Sequence, residues 1–300
     1  MDEAIKHHFN KEIKEKTKLT GGITFNTWLL VLSDNHKVVF RTRSDFTTSG
    51  GREIIIADIL EREKFFYDSV NKNIGHICPE IYVVDGTRKY YEDSFQISEY
   101  IEGKGLRFCF RELFDEQTKN DVTYKIGEIA ARINSIEIDN NHPYVTNRNS
   151  WEDYIAGRLC ERLNPLIKFN VITLDEVNKI ANNMRNKKAK QTSSYLHLDM
   201  RHCNMLYHNG DIFVLDAENC EFGDPLHELA VIDVGRESSD ILIKGYKGIS
   251  NIDTDNELYY YYKMERLGLV LDLCMNEWIK DPNEKQYYLK EFYETKAKIL

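Results

Sequence analysis

Tyr195–Ala230 reads YLHLDMRHCNMLYHNGDIFVLDAENCEFGDPLHELA. Two short apolar runs flank His208-Asn209-Gly210-Asp211, a turn signal, so this stretch predicts a small hairpin preceded by an irregular polar loop. Asp199 and Asn204 are spaced D-x4-N, and Asp216 follows the apolar run IFVL twelve residues after Asn204. Phosphoryl transfer needs such a set. One carboxylate orients the attacking hydroxyl, while an amide oxygen and a second carboxylate hold Mg²⁺ against phosphates, because that hard ion takes oxygen ligands. By spacing alone, the same residues serve equally as an Asx-rich loop that caps two strands.

The remainder of the chain narrows the choice. It has 300 residues, 42% hydrophobic and 12% aromatic, which is ample for a packed core and argues against general disorder. The formal charge is −9, so a global basic field for nucleic acid is missing. The last third, Met205–Leu300, carries all of it, with 19 Asp and Glu against 10 Lys and Arg. No apolar run approaches the ~20 residues of a membrane span. The first residues, MDEAIKHHFNKEIKEKTK, alternate in charge and lack the apolar stretch of a secretory signal. Six scattered cysteines without a CxxC pair read as reduced thiols, and the expected location is the cytoplasm. His197, His202, Cys203 and His208 match neither a zinc finger nor a His pair at i, i+4.

Residues 1–101 read as strands around one helix. LTGGITFNTWLLVL (Leu19–Leu32) and KVVFRT (Lys37–Thr42) form a hairpin with a glycine loop at its start. Arg52–Val70 has helical spacing, with Ile55, Ile59, Phe66 and Val70 near one face. Ile81–Asp85 and Ser94–Ile101 are further strands. Residues 102–300 read as mostly helical, with helices at Val122–Ile136, Trp151–Leu166, Leu174–Arg185 and beyond Pro225. The expected fold class is α+β, with a β-rich first lobe (1–101) and a helical second lobe (102–300). A glycine loop in one lobe and a polar loop in the other invite a nucleotide between them.

Several spaced motifs together carry a resemblance. His197-x-Asp199, Asn204, Asp216-Ala217-Glu218 and Gly223-Asp224-Pro225 before Glu228-Leu229-Ala230 resemble the aminoglycoside phosphotransferase family and its choline-kinase relatives. Those families share the protein-kinase-like bilobal fold. The resemblance implies Asp199 as catalytic base, Asn204 and Asp216 as Mg²⁺ ligands, and His197 as a buttress of the loop. Arg201 stands where a cation would neutralise the transferring phosphoryl group. Leu198 replaces the family's middle glycine, and Glu228 stands where an aspartate is usual; both substitutions touch the packing of the loop.

The resemblance also implies a nucleotide grip in the first lobe. Gly21, Gly22, Thr24 and Asn26 fall in the phosphate-covering loop, where glycine lets backbone N–H groups approach phosphate oxygens. Arg41 takes the place of the phosphate-pairing cation, with Glu63 as its helix partner and Glu61 as the fallback. FQISEYIEG (Phe95–Gly103) resembles the hinge, whose Glu99 carbonyl and Ile101 N–H would bind the adenine edge. The implied enzyme moves the γ-phosphate of ATP, or GTP, with Mg²⁺, to a hydroxyl of a small acceptor. The acidic last third suits a cationic acceptor such as an aminoglycoside or related antibiotic, with Glu221, Asp233 and Glu237 as candidate contacts. A metabolic kinase for choline, an amino alcohol or a sugar is the alternative, and a catalytically silent nucleotide-binding protein is a third. The tyrosine run Tyr259–Tyr262 reads as packing or as a cage for a cation.

Overall fold

In the computed structural model the described residues are 1–19, 25–43, 56–138, 150–190 and 192–300. Contacts divide them into two units, Met1–Leu113 with His202–Cys220, and Phe114–Arg201 with Glu221–Leu300.

In the first unit, alternation along Lys37–Arg43 (β3) buries Val38, Phe40 and Thr42 and turns Lys37, Val39, Arg41 and Arg43 the other way. β3 lies in an antiparallel sheet with β1 (Ile13–Leu19), β2 (Phe25–Leu32), β4 (Ile81–Asp85) and β5 (Phe95–Glu99), in the order β1-β2-β3-β5-β4. Helix α1 (Asp2–Phe9) covers one face, where Ala4 and Ile5 join Leu30, Val38, Phe40, Phe95 and Ile97 in one apolar cluster. Helix α2 (Ile56–Ile74) buries Leu60, Glu63, Phe66, Tyr67 and Val70. Fully burying such an apolar side chain stabilises the fold by about 1.5–3 kcal/mol.

The sequence reading of this region needs one correction. It expected one helix and no strand before Leu19, whereas α1 and β1 both form there. β1, IKEKTKL, is an edge strand with five exposed residues between its ends, so no apolar alternation announces it. Further strands follow residue 101. β6 (Lys104–Gly105) pairs with β8 (Met205–His208), which pairs with β9 (Asp211–Val214). The Val214 N–H donates to the Ile77 carbonyl at 2.7 Å, so this hairpin and α3 (Leu106–Glu112) belong with the first unit.

The second unit is helical: α4 (Glu116–Asn134), α5 (Trp151–Ile167), α6 (Leu174–Arg185), α7 (Pro225–Val234), α8 (Asp240–Lys247), α9 (Leu258–Met275) and α10 (Pro282–Ile299). β7 (Ser194–Leu196) and β10 (Glu221–Gly223) form a two-stranded antiparallel ribbon within it. One cluster containing Trp151, Leu163, Ile180, Leu196, Leu226, Leu267 and Phe292 is its core. Helix starts follow local chemistry. Ser150 caps α5 by accepting from Asp153 N–H, and Thr173 with Glu176 closes a capping box on α6. The α+β class and the β-then-helical order agree with the sequence reading.

Candidate active site

The Gly223-Asp224-Pro225 motif is a helix start. Asp224 accepts from the Leu226 N–H and Pro225 takes the first helical position of α7, where a missing N–H costs nothing. A side chain at Gly223 would collide with the indole of Trp151, so only glycine fits there. One turn into α7, the buried Glu228 accepts from the backbone N–H groups of His197 (2.5 Å) and Leu198 (3.0 Å). This carboxyl pins the loop that leaves β7. Burial pushes its pKa up to about 7 against the pull of those two N–H donors. Leu198 sits at φ 58, the left-handed region that glycine adopts at no cost, and its side chain is buried. The replaced glycine is therefore legible in the backbone: the loop keeps the conformation and adds an apolar anchor.

Asp199 follows, 5% exposed. Its N–H donates to Nδ1 of the buried His197 at 3.2 Å, which places His197 beneath the loop. Both carboxylate oxygens are taken by arginine. Arg201 Nε donates to Oδ1 and Arg201 Nη2 to Oδ2, each at 2.8 Å, and Arg266 Nη2 on α9 donates to Oδ1. Burial alone would raise this carboxyl's pKa; Arg266 and Arg201 outweigh it and hold the group at about 2. Asp199 is thus ionised throughout the physiological range. Arg266 was not anticipated, since it lies 67 residues downstream in a helix whose sequence carries no motif.

In the first unit, Arg41 on β3 joins two acids. Nη1 donates to Glu63 Oε2 at 2.6 Å and Nη2 to Asp216 Oδ1 at 2.7 Å. Glu63, fully buried on α2, also accepts from Gln96 Nε2 at 3.0 Å and Tyr67 Oη at 3.2 Å. Burial opposes the charge on Arg41, but Glu63 and Asp216 raise its pKa above the ordinary value. The pairing of Arg41 with Glu63 rather than Glu61 matches the helix register, because Glu61 is exposed. Asp216 takes φ 63 just after β9, and the Leu215 N–H donates to the Asn204 carbonyl at 2.8 Å. The hairpin therefore returns Asp216 to the end from which Asn204 departs. An amide and a partly exposed carboxylate offer the oxygen donors that a hard divalent cation takes, so the residues present fit Mg²⁺.

Other expected residues divide as follows. Gly21, Gly22 and Thr24 lie outside the described residues. Asn26 is in β2, where its side chain donates to the Arg43 carbonyl at 3.1 Å. Glu99 ends β5, and its carboxylate accepts from the Glu80 N–H and meets His76 at 2.6 Å; Ile101 follows two residues later, nearly buried. In the second unit Glu221 accepts from Tyr154 Oη at 2.5 Å. Asp233 meets Lys263 at 2.7 Å, and the same ammonium meets Glu291 at 2.8 Å. Glu237 lies three residues past the end of α7, half-buried. Within the tyrosine run, Tyr262 accepts from Trp151 Nε1 and donates to Asp224, which assigns it to the core.

The family model described as the phosphotransferase enzyme family matches residues 16–247. The chain belongs to that family. The phosphotransferase is a small-molecule kinase by class, and its fold is protein-kinase-like. No curated protein matches it. Among solved structures it is similar to a candidate fructosamine-3-kinase from Haemophilus somnus 129PT, at 17% identity and TM-score 0.71, over 100% of this chain and 96% of that one. It is also similar to APH(2")-IIa in its streptomycin–ATP complex, at 18% identity and TM-score 0.65, over 99% and 96% of the two chains. A third is a thermostable APH(4)-Ia variant with ADP and hygromycin B, at 14% identity and TM-score 0.68, over 99% and 98%. At these identities the likeness concerns the fold. Among the described residues no helix of the phosphotransferase is long and apolar enough to cross a membrane.

Proposed function

We propose that the protein transfers the γ-phosphoryl group of ATP to a hydroxyl of a small acceptor, with Mg²⁺, in the cytoplasm. The observation that carries this reading is Arg41 joined at once to Glu63 and Asp216. A charged guanidinium anchored by a buried acid is a fixed donor fork for phosphate oxygens. Asn204 and Asp216 would hold Mg²⁺, which when bound neutralises phosphate charge. The Gly21–Asn26 segment would cover the phosphates, and the Glu99 carbonyl and Ile101 N–H would take the adenine edge. GTP remains a donor to be compared with ATP in the same assay.

Asp199 would accept the hydrogen bond of the acceptor hydroxyl and aim its oxygen at the γ-phosphorus. With a pKa of about 2 it is a weak base, so its contribution is orientation, and it takes the proton late, as the phosphoryl group is transferred. Arg201 stands beside it to balance charge.

For the acceptor, an aminoglycoside or related antibiotic is the first reading, supported by the complexes of similar structures. Glu221 and Glu237 would then meet its ammonium groups. A second reading, a neutral or singly charged metabolite such as a sugar or amino alcohol, is favoured by the pairing of acids inside the second unit. Lys263 balances Asp233 and Glu291, Arg236 meets Glu284, and Arg158 and Arg162 meet Glu265, so much of the acidic charge is spent internally. The test is an acceptor panel of aminoglycosides, choline, ethanolamine and sugars, read by ADP release and by a mass gain of one phosphate. Turnover by Asp199→Asn at the unaltered rate would refute the assignment. Nucleotide binding without turnover on any acceptor would favour the silent alternative.

A further inference from the structure

We propose that Arg266 is a positioning residue for phosphoryl transfer, acting through Asp199; the inference rests on the phosphotransfer reading above. Among the described residues, Asp199 is the only side chain to which Arg266 donates a hydrogen bond. Its side chain is only 11% exposed, so a mostly buried cation is directed at this carboxylate, with a weaker pull on the nearby Glu228 carboxyl. The neighbouring Glu265 does not share it, being held by Arg158, Arg162 and His227. Packing alone does not ask for such a pair, because replacing both partners of a buried ion pair by apolar side chains of similar volume is often neutral for stability, whereas removing one of them is costly.

The two arginines differ in what they can do. Arg201 is borne by the same loop as the carboxylate, two residues on, and its side chain is 35% exposed. Its fork fixes Asp199 relative to the loop that carries both residues. A side chain at Gly235 would press on the Arg201 stem at 3.2–3.3 Å, so the stem rests on the end of α7. Arg266 comes from α9, whose Tyr262, Leu267 and Leu271 are fully buried in the core. It ties the carboxylate to a core helix outside the loop. Both guanidiniums reach Oδ1, and only Arg201 reaches Oδ2.

The experiment needs no knowledge of the natural acceptor, since water serves: phosphate release from MgATP is measured for the full chain. Arg266→Met is expected to lower kcat by 10- to 100-fold with KM for ATP unchanged. Arg266→Lys, which keeps the charge and folds without a vacant pocket, is expected to recover part of that loss. Free guanidinium at millimolar concentration is expected to restore Arg266→Ala and to leave the unaltered enzyme as it was. A purely structural arginine would lower Tm and give neither the kcat-against-KM split nor the rescue. Wild-type turnover per folded molecule in both Arg266→Met and Arg266→Lys, with Asp199→Asn inactive, overturns this inference and leaves the phosphotransfer reading standing. Full turnover by Asp199→Asn, or no release by the unaltered enzyme with water or the panel, overturns the phosphotransfer reading instead.

Discussion

At the scale of single residues, the loop around Asp199 trades backbone comfort and charge for fixed geometry. Leu198 holds a left-handed conformation at a cost of order 1 kcal/mol, and its buried side chain returns more than that. Leu198→Gly is therefore expected to destabilise the protein by about 1–2 kcal/mol despite the easier backbone, seen as a lower Tm. Asp199→Asn removes the partner of a buried guanidinium and is expected to cost about 3 kcal/mol as well as turnover. MgATP should still raise the Tm of that variant, which separates lost chemistry from lost folding. Arg201→Ala is expected to reduce kcat about tenfold, since it removes two of the hydrogen bonds that set the carboxylate plane.

At the scale of elements, the loop is held by the start of α7 rather than by its own strand. Glu228 is the connecting group, and its titration gives a signed prediction. Its pKa is about 7 in the folded protein against 4.5 ordinarily, so between those values the folded state binds the extra proton. Stability should fall as pH rises from about 4.5 to about 7, by on the order of 3 kcal/mol in full. Glu228→Gln keeps the shape and one acceptor, and its Tm should lack this slope. Burial of the carboxyl needs the folded helix, so nothing in HELA itself reveals it. The hairpin is the opposite case: MLYH, a turn at Asn209-Gly210, and DIFV form it from local signals alone.

At the scale of the whole molecule, residues 41, 63 and 216 meet in one ion-pair array that joins β3, α2 and the end of β9. Arg41→Ala leaves Glu63 buried without its cation. The expected result is a loss of about 3–5 kcal/mol and a weaker Tm response to MgATP. Asp216→Asn should preserve the pair's shape and remove the Mg²⁺ dependence of that response.

How much of this was readable beforehand follows from range. Hydrophobic periodicity named most helices and the inner strands, because each buries one face at a fixed spacing. The spacing left Asp199, Asn204 and Asp216 open between a strand-capping loop and a phosphoryl-transfer set, the resemblance put them forward as candidates, and a hairpin of fixed length brings the last two to one end. The edge strand β1 was silent, since it buries neither face. Glu63 was legible through the resemblance, and its helix register agrees with the pairing. Arg266 was not legible, since α9 reaches the loop only after the helices of the second unit have packed. Local chain chemistry alone thus settled the turns, the caps and the spacing of the candidate site side chains. The charge state and the arginine contacts of Asp199 belong to the tertiary structure, because they depend on burial and on a partner 67 residues away that no local interaction can position.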